Sequence, residues 1–578
     1  MYDPTRDIYY ISYQYHPNHF GWGDIGWGIA SSSDLITWSD VDRLPNDGVE
    51  AWQNSQAEAI YTTNLTSPDY IHPRYNALGI WSGTSQPVNL TGGTDGTLLT
   101  FYTSVGYLPL SWDREYPTGA ESQSFAISTD GGHTWEQYEG NPVIRSPPKG
   151  WNVTGFRDPF FEKVPELDAL LGYDEGSNFY LTLSSGINGS GPRIPLYIAP
   201  ANDLTNWTFL GAIDEPQENI TQGDPRQVGY IGSNWEVCNF FALDGRWYQS
   251  TGGIQGGIST FLTLWNEGNV TARENGSVQF DVISGGAIDN GQLYAITTFN
   301  DTKNDRRIQI GWSQESAIDN FAMRQQGFQG AFGLPRVLFS METEGVVPPS
   351  NLSVIGNNVY EEGENGTWTA RTLGSKAAEE VVEGLRNGSN YVEIANFSTV
   401  GVNSTAFMIA NMSRSYELSL KINSTSGRTG VVIAASPDFE EYTLIWFDPE
   451  SLSVACSREN SSRIQGFLNT TYEGYFEPYN MSSTNEYEVI HMRIWVDGSL
   501  IEVNLNDRFW LTSRIYPGRE DSVGFGIFSD DGVRVQYDSI EYYDGLYNIF
   551  PDRPLNSSSL LVFDTAEETG NYTWWSGT

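Results

Sequence analysis

What most limits the fold of this chain is the shape of its apolar segments. They come as short aromatic and β-branched runs, each stopped by Gly, Asn, Asp or Pro. Ile8-Tyr9-Tyr10-Ile11-Ser12-Tyr13-Gln14-Tyr15, Leu98-Leu99-Thr100-Phe101-Tyr102-Thr103 and Phe179-Tyr180-Leu181-Thr182-Leu183 are of this kind. Runs of this length and composition read as strands joined by hairpins. A turn segment recurs between them: Ser33-Asp34-Leu35-Ile36-Thr37-Trp38 returns as Asn202-Asp203-Leu204-Thr205-Asn206-Trp207. Ser128-Thr129-Asp130-Gly131-Gly132-His133-Thr134-Trp135 is related. In each, Asp can accept hydrogen bonds from the turn backbone while Trp packs under the hairpin. Hairpins recurring in this way point to the radial architecture of a β-propeller.

Composition narrows what such a protein can bind. With 14% aromatic residues, 60 Gly and only 18% charged residues, disorder and long exposed helices are both disfavoured. The 72 acidic against 31 basic side chains, a net charge of −41, make nucleic acid and anionic membrane poor partners. A neutral ligand such as a sugar meets no such penalty. No segment reaches the roughly 18 consecutive apolar residues of a membrane span. Asn-x-Ser/Thr sequons run from Asn64 to Asn571 and suggest a secreted, glycosylated protein, although Met1-Tyr2-Asp3-Pro4 does not open a signal peptide. Cys238 and Cys456 are far apart and predict no disulfide framework; Cys238 is expected to line a site. The five histidines show no metal-ligand spacing and no phosphate loop is present, so neither metal nor cofactor is expected.

The pattern divides the chain. A propeller is expected over residues 1–340 and a linker over 341–355, marked by Val346-Val347-Pro348-Pro349-Ser350. One helical stretch, Lys376 to Leu385, follows. Alternation in Tyr442-Thr443-Leu444-Ile445-Trp446-Phe447 and in Glu488 to Val496 then predicts a β-sandwich over 356–548, with a polar tail at 549–578.

Two acidic residues stand among aromatic and small neighbours rather than in a charge run. Glu236 lies in Asn234-Trp235-Glu236-Val237-Cys238, where poor hydration favours the neutral carboxyl that a general acid needs. Asp158 lies in Gly155-Phe156-Arg157-Asp158-Pro159-Phe160, and Arg157 beside it is expected to favour the ionised form, suited to holding a substrate hydroxyl or stabilising developing positive charge. A split pair of this kind is what glycoside cleavage uses. A surface turn for the first and a strand-end acid for the second are the plainer readings.

The residues also resemble a known family. Tyr13-Gln14-Tyr15-His16-Pro17-Asn18 followed by Trp22-Gly23-Asp24-Ile25-Gly26-Trp27-Gly28-Ile29 is similar to the opening of glycoside hydrolase family 32, the invertases, inulinases and fructosyltransferases. The likeness continues through Trp81-Ser82-Gly83-Thr84, Arg157-Asp158-Pro159, Trp235-Glu236-Val237-Cys238, Leu334-Pro335-Arg336 and Val496-Asp497-Gly498-Ser499. It implies an all-β chain: a five-bladed propeller with a funnel-shaped site, joined to a β-sandwich, cleaving sucrose, fructo-oligosaccharides or fructans with retention. It also implies that Glu236 is the general acid/base and Asp158 the transition-state stabiliser, and that Gln14, Trp22, Trp81, Ser82 and Arg157 line the fructose subsite. Aromatic faces for sugar C–H surfaces and Gln, Ser and Arg for hydroxyls suit that use. Ile29, Val237 and Asn239-Phe240 depart from the usual pattern and are as much like the fungal fructosyltransferase branch as the invertases.

The likeness fails at the nucleophile. The family carries this carboxylate in an Asp-Pro motif 16 to 18 residues before the position of Gln14, whereas Asp3 is only 11 before it, with Arg6 where the motif needs Gly. Asp3-Pro4-Thr5-Arg6 matches instead the turn after the first inner strand. The nucleophile is therefore expected to be absent, the chain to be truncated at its N-terminus, and its first blade to be opened and inactive. A fructan-binding relative without catalysis and a five-bladed inverting arabinan or xylan hydrolase are the alternatives.

Overall fold

In the computed structural model, residues 1–15, 25–41, 75–76, 78–107, 110, 115–256, 259–315, 328–402 and 406–548 are described. Five antiparallel sheets follow one another in chain order. The first holds Tyr2–Asp3, Ile8–Tyr15, Gly26–Ser32 and Ser39–Asp40; the second Ile80–Gln86, Leu98–Val105, Glu121–Ser128 and Glu136–Gln137. The third is built on Val153–Glu162, Asn178–Ile187, Pro195–Pro200 and Thr208–Ala212. The fourth runs through Asn234–Leu243, Arg246–Gly256, Ser259–Ala272 and Val278–Asp289, and the fifth through Leu293–Asp301, Arg306–Ser313, Arg336–Val346 and Trp368–Ala377. These are the five blades of a β-propeller. The apolar faces of adjacent blades form its core, for example Phe101, Phe125, Phe156, Phe161 and Leu181 between the second and third.

The recurring Asp-and-Trp turn occupies one place in three blades, the connection from third to fourth strand. Asp34 Oδ1 accepts the Ile36 and Thr37 N–H groups, and Trp38 Nε1 donates to the Leu35 carbonyl. Asp130 holds Thr134 and Trp135 Nε1 reaches Gly132 in the second blade. Asp203 holds Thr205 in the third.

Two six-stranded sheets make the sandwich. One has the order Asn390–Val400, Arg534–Asp544, Ser415–Thr425, Ile490–Asp497, Leu500–Leu505, Phe509–Arg514. The other has Phe407–Asn411, Gly524–Ser529, Thr429–Ala435, Thr443–Asp448, Ser453–Ser457, Tyr472–Tyr475. Alternate residues such as Leu418, Leu420, Ile422, Val431, Ile433, Ile445 and Phe447 fill the space between them.

The junction differs from the expectation. Residues 341–346 are not linker but the end of a strand of the fifth blade, paired with Trp368–Ala377. That pairing carries the blade past the Pro348-Pro349 break. It also claims Lys376 and Ala377, so the helix is Glu379–Leu385 rather than 376–385. The expected tail, 549–578, lies outside the described residues.

Candidate active site

The innermost strands of blades two to five all break register, the third twice. Trp81 pairs with Thr103 and Gly83 with Tyr102, leaving Ser82 as an extra residue. Arg157 pairs with Ser184 and Phe160 with Thr182, so Asp158 and Pro159 face one residue. Glu236 pairs with Gly252 and Asn239 with Ser250; Tyr294 pairs with Trp312 and Thr297 with Ile310. A bulge bends the strand and re-aims the side chains beside it. Asp158, Val237 and Ala295 have φ of 58°, 47° and 47°, a left-handed conformation uncommon outside Gly and typical of places where strain is retained for a purpose.

Arg157 is the hub of the resulting cluster. Its Nε donates to Glu121 Oε1 at 2.5 Å and its Nη1 to Glu236 Oε1 at 2.9 Å, while the guanidinium lies 5.2 Å from the centre of the Trp81 ring. Glu121, fully buried on the second blade, also accepts the Phe156 N–H at 2.8 Å through Oε2. Glu236 is held on its other side by the Tyr294 hydroxyl, 2.9 Å from Oε2. Asp158 Oδ2 accepts the Val237 N–H at 2.9 Å, which ties it to the residue after Glu236. The Asp158 N–H donates to Thr103 Oγ1, which donates in turn to Gln123 Oε1, and Gln123 Nε2 closes back on the Phe156 carbonyl. Four blades, the second to the fifth, thus contribute to the cluster around two carboxylates.

Their environments differ. Asp158 is 6% exposed as a residue, whereas the Glu236 side chain keeps 17% exposure. Burial, and then the charge of Glu236, push the Asp158 carboxyl up to about 7 against the pull of Arg157. Arg157 favours the ionised form, as expected, but does not prevail. The neighbour in sequence directs its Nε and Nη1 donors to Glu121 and Glu236, and desolvation outweighs its charge. Burial and the Glu236 charge also raise the Tyr294 hydroxyl well above its usual range, so it stays a donor.

Residues 2–347 match the family model described as Glycosyl hydrolases family 32 N-terminal domain, and residues 380–544 match Glycosyl hydrolases family 32 C terminal. The chain belongs to glycosyl hydrolases family 32. It is a glycoside hydrolase of the β-fructofuranosidase type. This family 32 chain is 26% identical to a levanase from Bacillus subtilis over 93% of its length and 67% of the relative's. It is 23% identical to an extracellular exo-inulinase of Meyerozyma guilliermondii, covering 90% of this chain and 87% of that protein. The solved structure of an Aspergillus kawachii β-fructofuranosidase complexed with glycerol superposes with a TM-score of 0.84 at 25% identity, covering 96% and 92% of the two chains. A fructosyltransferase from A. japonicus, at 24% identity, covers 96% and 93% with a TM-score of 0.83 and shares the fold.

The other expected site residues of this family 32 chain are distributed unevenly. Gln14 is exposed on the first blade and its Nε2 donates to Ser82 Oγ at 3.0 Å, joining it to the Trp81-Ser82 bulge. The Trp81 carbonyl accepts Trp27 Nε1. Trp22 lies outside the described residues. Cys238 does not line the site. It is fully buried among Val164, Leu167, Ile194 and Phe240, and burial pushes its thiol up. The bulge that turns Glu236 out turns Cys238 into the core between blades. Glu121, Tyr294 and Thr103 are members of the cluster that the sequence did not announce. Glu121 follows Thr118-Gly119-Ala120 with no motif, and Tyr294 reads as an ordinary strand aromatic.

Proposed function

We propose that this chain cleaves the fructosyl bond of sucrose or of fructans, with Glu236 as general acid/base and Asp158 as the group that holds fructose hydroxyls in the transition state. The observation that carries the reading is the split pair. Glu236 is the more accessible carboxylate and is gripped from both sides by Arg157 and Tyr294, while Asp158 sits deeper, tied to the Val237 N–H. In this reading Glu236 protonates the leaving sugar oxygen, then takes a proton from water or from an acceptor hydroxyl. Gln14 and Ser82 offer hydroxyl partners, while Trp81, 9% exposed and packed with Ile25 and Val105, lies against the Arg157 guanidinium. The relatives named levanase, exo-inulinase and fructosyltransferase support a fructosyl substrate, and the extracellular relatives support secretion.

A retaining reaction also needs a nucleophilic carboxylate about 5 Å from the acid/base. Asp3 does not fit that part. It is fully buried, its Oδ1 accepts the Thr5 N–H and hydroxyl, and its Oδ2 pairs with Arg6 at 2.7 Å. Asp3 is therefore not that nucleophile; the second reading is binding of fructosides without turnover. Purified protein incubated with sucrose, inulin and levan separates the two. Released fructose, or kestose-type products at high sucrose, abolished in Glu236→Gln, supports the enzyme; calorimetric binding of fructose or levan without product supports the second reading.

A further inference from the structure

Among the described residues, one edge of the sandwich lacks the usual protection. Asn390–Val400 is the outermost strand of its sheet; among the described residues it pairs only with Arg534–Asp544, so its outer side is open along 11 residues. Tyr391, Val392 and Val400 are exposed on it, Val402 follows, and Phe407, on the edge strand of the facing sheet, is 67% exposed. Long, exposed, apolar edges invite pairing with another chain, and proteins normally blunt them with Lys, Pro or inward charges. This strand contains neither Lys nor Pro, and its one charged residue is Glu393.

What it contains is a sequon. Asn396-Phe397-Ser398 lies in the middle of the strand, with Asn396 and Ser398 both exposed. Asn396 has φ of 49°, and the ladder passes from Ala395↔Ser539 to Phe397↔Tyr537 on either side of it. Phe397 stacks on Tyr537 at 4.8 Å, which anchors the strand while Asn396 stays free of the ladder. Two further exposed sequon asparagines, Asn387 and Asn411, border the same edge.

We propose that Asn396 is an N-glycosylation site whose glycan caps this edge and blocks its pairing with the edge of a second copy. The inference rests on the reading that the chain passes through a secretory compartment. There the Asn396 amide nitrogen bonds to the anomeric carbon of a lipid-linked oligosaccharide; the carbon–oxygen bond to the lipid diphosphate breaks, the diphosphate leaves, and the amide gives up a proton. A bulky, hydrated group mid-strand then does what Lys or Pro does on other edges.

The test is glycopeptide mapping and analytical ultracentrifugation of the protein secreted from a eukaryotic host. Asn396 should carry glycan and the protein should sediment as one species. Asn396→Gln and Ser398→Ala, two independent ways to remove the sequon, should each raise the self-associated fraction several-fold, while Asn396→Lys, which replaces the glycan by a charge, should restore the single species. Asn206→Gln, at an exposed sequon on the propeller, should change nothing. An unmodified Asn396, or Asn396→Gln and Ser398→Ala proteins that sediment like the parent, overturns the proposal. Glycan on Asn206 without glycan on Asn396 would sink this site alone; glycan at no sequon would sink the secretory reading as well.

Discussion

At the scale of single residues, the site is a problem of placing two carboxylates near one guanidinium. Replacing Glu236 by Gln keeps the Arg157 and Tyr294 contacts sterically but removes the proposed proton donor, and should lower kcat about 10²- to 10⁴-fold with little change in melting temperature. Tyr294→Phe removes one hydrogen bond to a charged group, about 1.5–3 kcal/mol, and should lower kcat/KM by roughly one to two orders of magnitude in steady-state assays. Asp158 makes stability depend on pH in an unusual direction. Its folded pKa of about 7 lies above the ordinary 3.8, so the folded state holds the proton more tightly than the unfolded one. Stability should therefore fall as pH rises from about 4 to about 7, and Asp158→Asn should flatten that part of the denaturation profile.

At the scale of elements, the bulges matter more than the strands. Regular ladders would alternate side chains strictly between faces, and Arg157, Asp158 and Glu236 could not all reach one cluster. Val237 is the costly position, a β-branched residue at φ 47°, where conformations of this kind cost of order 1–3 kcal/mol. Val237→Gly should relieve that strain and, because it loosens the backbone that presents Glu236 and holds Asp158, lower kcat. A variant that melted earlier while keeping full activity would show that the bulge carries no strain and positions nothing. The Asp-and-Trp turns, by contrast, were legible because their chemistry is local. Asp34, Asp130 and Asp203 each satisfy backbone groups within four residues.

At the scale of the whole molecule, propeller and sandwich are joined through a buried charge cluster. Arg336 is fully buried; its Nη2 meets Asp289 at 2.9 Å, Glu502 at 2.9 Å and Thr512 at 3.0 Å, and its guanidinium lies over the Trp510 ring. Asp289 comes from the fourth blade and Glu502, Trp510 and Thr512 from the sandwich, so Leu334-Pro335-Arg336 is an interdomain pin. Arg336→Met leaves two buried carboxylates without their cation and should cost about 3–5 kcal/mol, measured as a lower denaturation midpoint.

The order of strands, the propeller followed by a sandwich, the aromatic turns and the pair Asp158 and Glu236 were already determined by the sequence, because each depends on side-chain period or on neighbours within a few residues. Tertiary structure alone decided which blade partners hold Arg157, that Asp158 rather than Glu236 is the deeply desolvated acid, and that Cys238 belongs to the core. It also decided that the last blade is completed after the Pro348-Pro349 break. Those outcomes depend on register shifts, and on Glu121 and Tyr294 arriving from strands 36 and 58 residues away from their partners. A one-residue bulge reverses which way a side chain faces while leaving the sequence pattern almost unchanged, and burial, which sets the pKa, is a property of what packs from outside the segment.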